Sequence, residues 1–217
     1  HKNIKIYSEA AEVEFDETKI LFLPWINNQN VFNSEKIIKE TNAPICMGHL
    51  EIAGFQMMKG FVNEHGLDKS VFRKFDTVFS GHFHKRSKRN NITYIGNAYQ
   101  MYWNDEGEKR GFCTFDVETQ ELEYIDNPFP MFHKLYYNES NPKLIKYHTY
   151  KDSYVKIIVE SKSTPQKLSN VVDQLYRAGA HDVKVIDSMD MTLDDDVEVE
   201  SEDTLTTLSN YVQAMEG

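Results

Sequence analysis

The chain reads as an α/β protein on three observations. Short apolar runs alternate with helix-like segments as far as residue 80, and two of those runs end in Gly-His, at Gly48-His49 and Gly81-His82. A compact strand–helix–strand pattern then occupies residues 154–187.

Residues 2–7 (KNIKIY), 11–15 (AEVEF) and 19–23 (KILFL) are short β-rich runs separated by polar breaks, and are expected as strands. Pro24-Trp25-Ile26 ends the third, and Asn27 to Asn33 form a polar loop. Ser34 is placed to cap a helix over residues 35–41, which leads into a strand ending at Gly48. Residues 67–75 (LDKSVFRKF) are expected as a second helix, with Asp68 near its start, and residues 76–80 as the strand that runs into Gly81.

The rhythm then changes. Residues 92–96, 111–116 and 121–125 form a strand-rich stretch with polar turns at residues 104–107 and 118–120, which fits a second sheet or an antiparallel half of a larger one. Asn127-Pro128-Phe129-Pro130 breaks the pattern and marks a domain boundary. Beyond it, residues 154–160 (YVKIIVE) are a strand. Thr164 stands at an N-cap with Pro165 at the first helical position, where its missing N–H costs nothing. Leu168, Val171, Val172 and Leu175 share one helix face, Gly179 can close the helix in a left-handed conformation, and residues 182–187 return as a parallel strand.

The expected organisation is therefore residues 1–127, a small α/β domain over 128–189, an acidic linker over 190–203, and a helix over 204–217. Asp187 to Asp203 carries nine acidic residues and no basic one. In the last helix Leu205, Leu208, Val212 and Met215 form a two-heptad seam, too short for a stable coiled coil alone. It either packs back on its own domain or docks on another chain.

No apolar run approaches the ~18 residues that span a membrane. The only cysteines, Cys46 and Cys113, sit in strand-like runs, which fits two reduced thiols in a cytoplasmic protein rather than a disulfide scaffold. The net charge of −10 does not exclude a polyanionic substrate, because Lys85-Arg86-Ser87-Lys88-Arg89 is a compact basic run.

The two Gly-His junctions carry the chemistry. Each presents an imidazole where a buried strand ends, the end at which open α/β sheets place ligands. If the segment stays extended, His82 and His84 point the same way and can hold one metal ion together. Lys85, Arg86, Lys88 and Arg89 then either contact DNA phosphates or form a solubilising turn. Tyr99, Tyr102 and Trp103 either stack on unpaired bases or pack at a rim. Glu51, two residues past His49, either supports a ligand or caps the surface.

LFLPW (21–25), MGHLEIAGF (47–55), Lys59-Gly60, SGHFH (80–84), YIGNAYQM (94–101) and RGFCTFD (110–116) together resemble the SbcD-type nucleases of the calcineurin-like metallophosphoesterases, nuclease subunits of phage recombination endonucleases among them. The resemblance implies part of a four-layer metallophosphoesterase β-sandwich flanked by helices, then a small α/β cap domain and a carboxyl-terminal helix. It also implies that His49, His82 and His84 are metal ligands for two divalent ions, manganese or magnesium, that drive hydrolysis of DNA phosphodiesters in repair and recombination. The implied partners are DNA and an SMC-like (SbcC-type) ATPase, docked on Leu205, Leu208, Val212 and Met215. The complete protein is implied to be a homodimer in the cytoplasm, that of a bacterial host if phage-encoded.

The family's Asp-x-His, Gly-Asp-x-x-Asp and Gly-Asn-His-Asp blocks do not occur in the chain. It is therefore expected to be the carboxyl-side part of such a nuclease, inactive alone. Two other readings keep some of the same features: a phosphatase acting on non-DNA phosphoesters, and a non-catalytic adaptor for the ATPase.

Overall fold

A computed structural model of the chain describes residues 5–187, apart from 59, 140–141 and 162–163. The chain divides between Met131 and Phe132 into two units, each with its own sheet and apolar core.

The first unit contains eight strands up to Tyr94: β1 (Ala11–Phe15), β2 (Thr18–Leu23), β3 (Ile45–Gly48), β4 (Gln56–Met58), β5 (Phe61–Val62), β6 (Thr77–Ser80), β7 (Ser87–Arg89) and β8 (Ile92–Tyr94). Six of them form one mixed sheet in the order β1-β2-β3-β6-β8-β7, and β4 and β5 pair separately. The four inner strands run parallel, and β1 and β7 close the edges antiparallel. Alternation sorts the side chains onto two faces. Leu21, Cys46, Val78 and Ile92 stand in register and bury against Ile38 of helix α1 (Val31–Glu40), Phe55, Phe72 and Phe75. Ile20, Ile45 and Phe79 face the other way, toward Phe115 and Leu122.

Several sequence expectations need correction. Of the strand expected over 2–7, the described residues 5–7 are not in a strand. Helix α1 begins at Val31, and Ser34 lies buried inside it rather than capping it. The Asn27–Asn30 turn starts the helix early: Asn30 accepts from the Asn27 amide through Oδ1 and donates to the Trp25 carbonyl through Nδ2, both at 2.8 Å. The helix expected over 67–75 is only a 3₁₀ turn, Lys69–Phe72, with Asp68 accepting from the Ser70 amide at 2.7 Å. Residues 92–94 join the main sheet instead of a second one. Asn90, with φ +54°, turns the chain back so that Arg89 faces Ile92 across a two-residue hairpin. The separate antiparallel sheet holds only β9 (Gly111–Phe115) and β10 (Leu122–Asp126).

The second unit is a three-stranded parallel sheet of β11 (Phe132–Tyr137), β12 (Tyr154–Val159) and β13 (Asp182–Asp187), with helix α2 (Pro165–Arg177) joining the last two. Val171 and Leu175 bury against Leu135, Val155 and Ile157, with Leu168 and Val172 packed alongside. The helix closes as a Schellman motif: Gly179, at φ +94°, donates to Tyr176, and Ala180 to Leu175. Thr164 occupies the N-cap position, but its side chain makes no cap bond. Strand β11 went unread in the sequence because its FHKLYY lacks a clean apolar alternation. The linker expected over 190–203 and the helix expected over 204–217 lie outside the described residues.

Candidate active site

β3 and β6 are parallel neighbours with Gly48 opposite Ser80, so the two Gly-His junctions leave the sheet side by side. The Gly81 amide donates to the Gly48 carbonyl at 3.0 Å, which carries the pairing one residue past the strands. Neither glycine has free room beside it for a Cβ. A Cβ on Gly48 would stand 2.9 Å from the Leu23 carbonyl oxygen, and one on Gly81 would stand 2.9 Å from His49 Nδ1. The bare edge at Gly81 is what lets the His49 ring lie across it. The His49 and His82 rings then meet edge to face, with centroids 5.3 Å apart.

His82 and His84 do not sit on an extended strand as the spacing implied. β6 stops at Ser80, and the Phe83 amide closes onto the Gly81 carbonyl at 3.0 Å, with His82 at φ +71°. Such a tight turn with positive φ is a rare, strained form, of the kind that collects at functional sites. It sends the two side chains to different neighbours. His82 packs on His49 and Trp25, while His84 stacks parallel on Tyr102 at 5.9 Å.

The backbone that carries His49 is held from below. Ser80 Oγ accepts from the Leu50 amide at 2.9 Å and donates to the Leu50 carbonyl at 3.1 Å. The Tyr94 hydroxyl donates to the same carbonyl at 2.7 Å and accepts from the Ile52 amide at 3.0 Å. Ser80 and Tyr94 are both buried, so the segment just past His49 hangs from two side chains that water cannot replace.

A shallow cleft of about 140 Å³ is lined by Trp25, Ile26, His49, Glu51, Leu67 and His82, among others. The pKa of His49 is held below its ordinary value, first by removal from water and then by the nearby His82 and His84. Its imidazole is therefore biased toward the neutral form, whose lone pair can bind a metal or accept a proton. Glu51 accepts from Asn63 Nδ2 at 3.0 Å. Among the described residues, no group of three or more His, Cys, Asp or Glu side chains is close enough to hold a metal ion. The residues thus fit part of a donor set: two adjoining imidazoles with His84 near them.

The basic run is split in its commitments. Lys85 pairs with Glu108 at 3.0 Å, and Arg86 pairs with Asp126 at 2.6 Å while lying over the Tyr124 ring. Lys88 and Arg89 lie exposed on the edge strand β7, and Arg89 sits over Phe55. Tyr99 and Tyr102 are exposed, and Trp103 opens a 3₁₀ turn, Trp103–Asp105.

Sequence reasoning missed two residues here, Asp105 in that turn and Arg110 just beyond it. Arg110 and Asp105 form an ion pair whose side chains are only 5% and 7% exposed. Arg110 Nη1 also donates to the His84 carbonyl, and Asp105 accepts from the Met101 amide at 2.8 Å. One buried pair therefore ties the backbone of His84 to the loop that carries its stacking partner, Tyr102. Arg110 lay inside the quoted RGFCTFD stretch, but nothing local to it announced a partner five residues away.

Fold and site together define an α/β protein with a histidine cluster at the carboxyl ends of parallel strands in a mixed sheet. No protein-family model matches the chain. It is 30% identical to exonuclease subunit 1 of enterobacteria phage T4 over 217 residues, 99% of the chain, and spans 62% of that protein's length. No helix among the described residues is long and apolar enough to cross a membrane.

Proposed function

We propose that the chain belongs to a DNA exo- and endonuclease subunit of phage type, with the four-layer sandwich of the metallophosphoesterases. The observation that carries this reading is the meeting of the His49 and His82 rings beyond the adjacent parallel strands β3 and β6. The likeness to a phage exonuclease subunit supports it. His49, His82 and His84 would hold divalent ions, two in the complete site and manganese by preference, with further donors beyond this histidine set. Such ions supply Lewis acidity toward a phosphodiester and an activated water.

The rest of the chain's part is positioning. Ser80 and Tyr94 fix the backbone after His49, and Arg110 fixes that of His84. On this reading Lys88 and Arg89, with Lys85 and Arg86 if their ion pairs open, meet the DNA backbone, and residues 128–189 act as a cap over DNA. The subunit works with an SMC-like ATPase that docks on Leu205, Leu208, Val212 and Met215, and pairs with a second copy of itself.

The test measures manganese affinity in this chain and DNA cleavage in the whole gene product. His49→Ala, His82→Ala and His84→Ala each lower manganese affinity and abolish release of nucleotides from linear duplex DNA. Manganese binding untouched by all three removes the histidine site. Turnover of a small phosphoester such as p-nitrophenyl phosphate, with linear DNA left intact, makes the protein a phosphatase instead.

A further inference from the structure

Trp25 has no part in the site as read from the sequence, yet it forms one wall of the cleft. Its ring lies on His49 with centroids 5.3 Å apart and planes 24° from parallel, and it meets His82 edge-on at 5.8 Å. One side of the indole is thus taken up by the imidazoles, while 60% of the residue remains exposed. A large indole left this open is poorly explained by packing, because its burial is what makes tryptophan stabilising.

The backbone that carries the ring is also held in place before any ligand arrives. Pro24 precedes it, which restricts the chain where β2 ends. Asn30 Nδ2 donates to the Trp25 carbonyl at 2.8 Å, and Asn30 Oδ1 closes the following turn onto the Asn27 amide. A platform fixed by its own backbone loses little entropy when a ring stacks on it.

The cleft beside it, at about 140 Å³, is smaller than the ~300 Å³ at which ligand pockets usually begin. It can take a phosphate-sized group against the histidines but cannot enclose a whole nucleotide. A nucleotide whose phosphate sits there must leave its base outside, and Trp25 is the one aromatic ring of the lining besides the imidazoles.

We infer that Trp25 is a stacking platform for an unpaired nucleobase next to the phosphate held at His49 and His82. The substrate at this site is accordingly a single-stranded or frayed end rather than the interior of a paired duplex. This rests on the nucleic-acid reading above and adds the strand state to it. Stacking is indifferent to sequence, since every base has a π face, so the site has no base preference of its own.

The experiment is fluorescence anisotropy of labelled oligothymidylate in low salt with EDTA, so that nothing is cleaved. It compares the wild-type chain with Trp25→Phe and Trp25→Ala, and uses an abasic oligomer of equal length as a second probe. Trp25→Ala weakens oligothymidylate binding by about 5- to 100-fold. Trp25→Phe stays within a few-fold of wild type, and the abasic oligomer binds all three proteins alike. Equal binding of oligothymidylate by wild type and Trp25→Ala overturns the stacking role and leaves the nuclease reading standing. Loss of abasic binding in Trp25→Ala also overturns it, because the residue then acts on the backbone and not the base. Failure of the wild-type chain to bind either oligomer in EDTA overturns this inference and leaves the nuclease reading, whose phosphate contact runs through divalent ions, to its own test.

Discussion

Gly81 and His49 are matched by subtraction: the Cβ that Gly81 lacks would stand 2.9 Å from the Nδ1 of His49. Gly81 has no left-handed φ, so alanine is compatible with its backbone, and the cost of the substitution falls on the imidazole. Gly81→Ala displaces the ring while sparing the fold. The expected result is a loss of divalent-metal affinity of about 10- to 100-fold, as for other residues that orient a ligand. Calorimetric titration with manganese, beside a melting curve close to wild type, checks it.

Ser80 bears on stability as well as on the site. Ser80→Ala leaves the buried Leu50 amide without an acceptor, whereas the Leu50 carbonyl keeps its bond from Tyr94. The substitution is expected to cost about 1–3 kcal/mol, the usual penalty for a stranded donor. Urea denaturation measures it, and an unchanged midpoint contradicts the bond.

Removing Arg110 alone is expected to be severe. Arg110→Met strands the buried Asp105 carboxylate and should cost about 3–5 kcal/mol. The double variant Arg110→Met with Asp105→Asn removes both charges, keeps an acceptor for the Met101 amide, and should recover part of that loss. A double-mutant cycle by chemical denaturation separates the two effects.

Two buried acids make the fold less stable in alkali. Burial pushes the Cys46 thiol up to about 12, and burial likewise raises Tyr94 to about 12. Below their ordinary values near 9 and 10 both are protonated in folded and unfolded chains, and neither affects the pH dependence. Above those values the unfolded chain releases protons that the folded chain retains, so stability falls as pH rises toward 12. The same shift protects Cys46 at neutral pH. Native protein should resist alkylation at Cys46 by iodoacetamide at pH 8 and react there once unfolded in urea, as peptide mass mapping will show.

The sequence was most legible where one local rule decided the outcome. Leu21, Cys46 and Val78 sit in uniform apolar runs, and those became adjacent core strands. Leu168, Val171, Val172 and Leu175 form a helical stripe, and that became the buried face of α2. It was least legible where a side chain reaches beyond its own segment. Asn30, spent on holding Trp25 and Asn27, moved the start of α1 away from Ser34. Asn90 turned a strand back into the main sheet. In the site, Gly48-His49 and Gly81-His82 were visible as a repeated pattern, but the positive φ of His82 was not, and with it went the expected alignment of His82 with His84. Trp25, Arg110 and Asp105 act through tertiary contacts that no spacing encodes.

His49 and His82 come together only because β3 pairs with β6 across the β4–β5 hairpin and the 3₁₀ turn that separate them in the chain. No local segment contains even half of their contact. Parallel pairing of this kind must first meet the entropy of closing the intervening loop, so the cleft exists only where β3 and β6 are already joined. A probe that senses the His49–His82 contact therefore serves as a clock for the completed sheet, silent in every collapsed or partly helical state that precedes it.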